Sequence, residues 1–81
     1  MDPVILNREI SERSITDFDQ ARQRAIELGY VLSHFDHKAS VTTPTGLWFE
    51  ADVYILEKGR KLAAIVAREG GYSLHECSFA D

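Results

Sequence analysis

The stretch Leu47–Leu56, LWFEADVYIL, alternates apolar and polar residues at a period of two. Phe49, Ala51, Val53 and Ile55 point one way, while Trp48, Glu50, Asp52 and Tyr54 point the other. Only a strand gives that segregation, and its apolar side has to be covered. The downstream residues repeat the pattern. EKGR at 57–60 is a tight turn, KLAAIVARE at 61–69 runs back, Gly70-Gly71 turns again, and YSLHECSF at 72–79 is a further strand. Upstream, YVLSHFDH from Tyr30 is rich in β-branched and aromatic residues and leads to the proline–glycine turn TTPTG.

A helix precedes these strands. Phe18, Ala21, Ala25 and Leu28 are spaced three, four and three apart, which makes one apolar stripe. Thr16 is the expected N-cap, Asp17 and Asp19 suit the positive helix end, and Ile15 can staple onto the first turn. Gly29 sits where a left-handed residue ends a helix, with Tyr30 closing the cap.

The expected fold is therefore α+β. One main amphipathic helix, about 16–28, packs on a three- to four-stranded antiparallel meander, about 30–42, 47–57, 60–69 and 72–79. The helix is expected to cover Phe49, Ala51, Val53 and Ile55. At 81 residues the chain is expected to form a single small domain with one core, and residues 1–13 are a short edge strand or a flexible arm. The αβββ order is also that of the front part of a double-stranded-RNA-binding domain and of many unrelated α+β folds, so it names no family.

Composition narrows the function classes. With 44% hydrophobic and 27% charged residues this is a globular sequence, and one cysteine forms no internal disulfide, which fits a cytoplasmic setting. No apolar run approaches the ~20 residues of a membrane helix, and no secretory signal is visible. The net charge of −4 disfavours nucleic acid and anionic lipid and favours a basic partner.

Register decides how His75 and Cys77 are read, because a one-residue slip moves every side chain to the other face. If Lys58-Gly59 and Gly70-Gly71 are two-residue loops, Ile55 pairs with Leu62, Val53 with Ala64 and Val66 with His75, and His75 and Cys77 lie in the core. A glycine bulge at Gly59 instead brings Glu50, Asp52, His75 and Cys77 onto the open face. The first register is preferred, since the second points Lys61 and Glu76 inward, and a buried unpaired charge costs several kcal/mol.

Three chemistries come into question for these residues. A thiol nucleophile needs Cys77 as thiolate beside a base, but His75 on the same strand stands ~6–7 Å away. His34, Asp36, His37, His75 and Cys77 are zinc-type ligands, yet they follow no ligand spacing and His37 faces away from His34 and Asp36. A nucleic-acid role rests on Lys58, Arg60 and Lys61 with Arg22 and Arg24, against an acidic helix start. No catalytic, metal or cofactor site is expected. The outward face, carrying Trp48, Glu50, Asp52, Tyr54, Tyr72 and Glu76, is the expected partner-binding surface. The expected function is a small acidic non-catalytic interaction module, an inhibitor or adaptor, binding a protein with a basic surface or forming a homodimer. Nucleic-acid binding is the alternative, and a metal- or thiol-dependent enzyme the third reading.

Overall fold

The computed structural model describes residues 3–11 and 15–79. The elements run β1 (Val4–Glu9), α1 (Phe18–Glu27), β2 (Val31–Thr42), β3 (Trp48–Lys58), β4 (Lys61–Arg68) and β5 (Gly71–Phe79). Among the described residues one helix and a mixed five-stranded sheet make an α+β fold, but the sheet is more than a meander. Its strands close into a barrel in the order β1-β2-β3-β4-β5. Closure comes from the segment read as an edge strand or arm: β1 pairs antiparallel with β5 and parallel with the end of β2, Val4 opposite Val41. The rest of the 1–13 reading falls partly on residues 1, 2, 12 and 13, which lie outside the described residues.

The barrel interior explains the small residues of the alternating strands. Val4, Leu6, Ala39, Val41, Val53, Ile55, Ala64, Val66 and Cys77 fill it, with Phe49, Ala51, Leu62 and Phe79 packed against them. Five strands enclose a narrow space, so alanine and valine dominate. Each fully buried valine, leucine or isoleucine contributes about 1.5–3 kcal/mol.

This interior corrects the expected docking of the helix. Phe49, Ala51, Val53 and Ile55 face the barrel axis, and α1 packs on the opposite, outer wall. There Ala21 and Ala25 form a second buried cluster with Ile15, Tyr30, Leu56, Ala63, Ile65 and Leu74, flanked by Phe18, Leu28, Tyr54 and Tyr72. The chain thus has two apolar layers where one core was expected. The sheet has apolar residues on both faces: closure buries one and the helix covers part of the other.

The helix ends are close to expectation. Asp17, one residue after the expected Thr16, is the N-cap, and its carboxylate accepts from the Asp19 amide. At the other end Gly29 has φ 94, its amide donates to the Ile26 carbonyl and the Tyr30 amide to that of Ala25, a Schellman closure. Lys58 Nζ donates to the Leu28 carbonyl at 2.7 Å, tying the β3–β4 hairpin to the negative helix end.

Both hairpins differ from the preferred register by two residues, so the faces are kept. Val53 pairs with Val66 and Ile55 with Ala64, leaving Gly59-Arg60 as the loop. Gly59, at φ 60, supplies the positive φ that a type II′ turn needs at its first central position. Leu62 pairs with Cys77 and Ala64 with His75, so the second loop is Glu69-Gly70. Gly71 pairs with Arg68 at the start of β5 and must be glycine: a Cβ there would sit 2.1 Å from the Ile15 carbonyl oxygen, which accepts the Tyr72 amide at 2.7 Å.

Candidate interaction surface

Helix α1 divides the outer wall of the barrel. Over β4 and β5 it leaves little exposed. Phe18 packs tilted on Tyr54, with centroids 4.3 Å apart, and meets Tyr72 edge-on at 5.8 Å. Both tyrosines, expected to bind a partner, therefore carry the helix. Glu76 is also engaged, in an ion pair with Arg8 at 2.5 Å.

Over β2 and β3 the wall is uncovered. Leu32 stands beside Leu56, Phe35 beside Tyr54, Ser40 beside Glu50 and Thr42 beside Trp48. Among the described residues the exposed large apolar side chains are Ile26, Val31, Leu32, Phe35, Leu47 and Trp48. All but Ile26 belong to the β2–β3 hairpin, and Leu47 and Trp48 are more than 60% exposed. The Trp48 indole donates to the Ser40 hydroxyl, which fixes its ring on the wall. Phe35 extends the aromatic line from Phe18 and Tyr54, 4.6 Å from the latter. Glu50 is exposed there, so an apolar strip carries a carboxylate beside it.

Asp52 lies on this wall with a local task. Opposite it β2 bulges, with two residues, His37 and Lys38, against one. Lys38 takes φ 53 and its amide donates to Asp52 Oδ1 at 3.0 Å, while His37 Nδ1 lies 2.7 Å from the same oxygen. A second bulge at Ser33 shifts the strand again. These two slips break the period of β2, which is why Leu32 and Phe35 do not stand out in the sequence. Their only signal there is an apolar-rich strand without clean alternation.

No protein-family model, curated protein or solved structure matches the chain.

The residues with catalytic or metal-binding chemistry lie apart. His34 pairs with Asp36 at 3.4 Å, His37 with Asp52 across the sheet, and no cluster of three or more His, Cys, Asp or Glu among the described residues is placed to hold a metal ion. His75 and Cys77 point into the barrel, buried as the preferred register implied, though beneath the barrel wall and not beneath the helix. His75 Nε2 is 2.7 Å from the Ser73 hydroxyl, and burial lowers the His75 pKa from its ordinary value. Burial pushes the Cys77 thiol up to about 11, which keeps it protonated and poorly nucleophilic at neutral pH. No helix of the described residues is long and apolar enough to cross a membrane.

Proposed function

We propose that the protein is a small non-catalytic interaction module whose contact surface is the outer wall of the β2–β3 hairpin. The observation that carries this reading is that Leu32, Phe35 and Trp48 stand exposed on this outer wall, with Val31 and Leu47 exposed at the ends of the same hairpin, while the rest of the barrel buries its large apolar residues. Such a strip supplies desolvation energy, and aromatic anchors like Phe35 and Trp48 are the side chains that dominate contact energies. The exposed Glu50 and the net charge of −4 select a partner that brings basic residues around an apolar centre. An inhibitor or adaptor role agrees with this chemistry.

The test compares wild-type protein with a Leu32→Ser, Phe35→Ser, Trp48→Ser variant, first matched by circular dichroism and urea midpoint. Each is used as bait in extract of the native host. The expected result is a protein retained by the wild type and lost by the variant. Equal retention by both would remove the wall from the binding role. A concentration-dependent dimer that the variant abolishes identifies the second copy as the partner. Nucleic acid retained in a salt-sensitive way by both proteins would instead favour the basic β3–β4 hairpin, with Lys58, Arg60 and Lys61, as the working surface.

A further inference from the structure

A cleft of about 270 Å³ opens on the other part of the barrel, lined by Asn7, Tyr30, Arg60, Lys61, Leu62, Glu76, Cys77 and Ser78. We propose that this cleft binds an oxyanion carried by a small molecule, held between the cations of Arg60 and Lys61 and the hydroxyls of Tyr30 and Ser78.

Charge is the first argument. The chain is acidic overall, yet Lys58, Arg60 and Lys61 stand within four residues of one another at the β3–β4 hairpin that forms one side of the cleft. Arg60 and Lys61 are exposed, and neither has a carboxylate partner among the described residues. The one acid in the lining, Glu76, is paired with Arg8 at 2.5 Å. The local balance is positive in a protein whose total is −4.

Tyr30 is the second, independent argument. It is only 5% exposed, and Lys58 Nζ sits 5.9 Å from its ring centre. Its hydroxyl makes no hydrogen bond to another described side chain or backbone group and is not a buried unpaired atom, so it opens to solvent at the cleft and is free to donate to a ligand there. Tyr30 lines the cleft together with Arg60, Lys61 and Ser78. A hydroxyl open to a ligand in the same cleft as two unpaired cations matches an oxyanion: guanidinium, ammonium and hydroxyl groups all donate to it. The planar fork of Arg60 suits both a carboxylate and a phosphate. This site involves other strands than the β2–β3 wall, so either can fail without the other.

The experiment follows amide chemical shifts of the full chain titrated with inorganic phosphate, glycerol 3-phosphate or glutarate at constant ionic strength, with sodium chloride as reference. The expected result is a saturable shift at Tyr30, Arg60, Lys61 and Ser78 below about 50 mM with at least one of the three. The tighter binder identifies the source as free phosphate, a phosphomonoester or a carboxylate. Lys61→Gln should weaken it about tenfold, as should Tyr30→Phe within a factor of a few, since both remove a donor to a charged group. Tyr30→Phe keeps the ring, so the fold is retained for the comparison. Shifts equalled by chloride, no saturation, or saturation unchanged in both variants would overturn the proposal.

Discussion

Phe18 on α1 packs tilted against Tyr54 on β3 with ring centroids 4.3 Å apart, on the side of the barrel that the helix covers. Tyr72 meets the same ring from β5, so one side chain bridges two strands of the outer wall. Phe18→Ala removes both aromatic contacts and opens the Tyr54 ring to water. The expected loss is about 2–3 kcal/mol, below the cost of a fully buried ring because Phe18 is half-buried. Urea unfolding measures it, and a loss under about 0.5 kcal/mol would mean the helix is held by Ala21 and Ala25 alone.

Adjacent glycines at the β4–β5 turn should respond differently. A Cβ at Gly71 meets the Ile15 carbonyl oxygen at 2.1 Å, and that backbone is fixed by its bond to the Tyr72 amide. Gly71→Ala is therefore expected to cost about 2 kcal/mol or more, through overpacking against backbone. Gly70 has φ 83 and open space around it, so Gly70→Ala carries only the strain of the left-handed region, about 1 kcal/mol. Equal losses at both sites would contradict the Glu69-Gly70 loop and with it the register of β5.

The strands after the helix are legible because each is bounded by glycine, and β3, Trp48–Lys58, alternates at period two along its length. Closure is not. The parallel pairing of Val4 with Val41 joins residues far apart in sequence and leaves no local mark on either segment. Without β1, the face with Phe49 and Val53 has no cover except the helix, which is why the sequence points the helix to the side that closure buries instead. The contrary signal was in the sequence: Leu56, Ile65 and Leu74 alternate with the residues assigned to the core, and an outer wall that apolar needs its own cover. The candidate surface divided along the same line. Trp48 and Glu50 remain on the exposed wall, whereas Tyr54, Tyr72 and Glu76 were assigned to it without the helix and Arg8 that engage them.

Cys77 gives a chemical test of the barrel interior. It lies between Leu6 on β1 and Leu62 on β4, and burial pushes its thiol up to about 11. At pH 8 only about one thiol in a thousand would be ionised, and access is restricted as well. Labelling by a disulfide reagent should be at least about 100-fold slower in native protein than in urea. Fast labelling of the native form would place Cys77 on the surface and break the β1–β5–β4 pairing that surrounds it.

His75 makes stability depend on pH. Its ring is buried against Ser73, and the pKa is lowered from 6.5 chiefly by burial; the nearby Glu9 carboxylate raises it in part and Arg68 lowers it further. The unfolded chain thus takes up a proton near pH 6.5 while the folded chain still holds the ring neutral. Stability from this group is present above that pH and is lost as the pH falls from there through the lower, folded value. Urea midpoints at pH 8, 7, 6 and 5.5 should therefore be nearly equal for the first pair and decline over the second. His75→Gln retains a hydrogen-bonding partner for Ser73 but cannot titrate, so its midpoint should decline less across the same range. A wild-type decline that the variant reproduces in full would assign the effect to other groups.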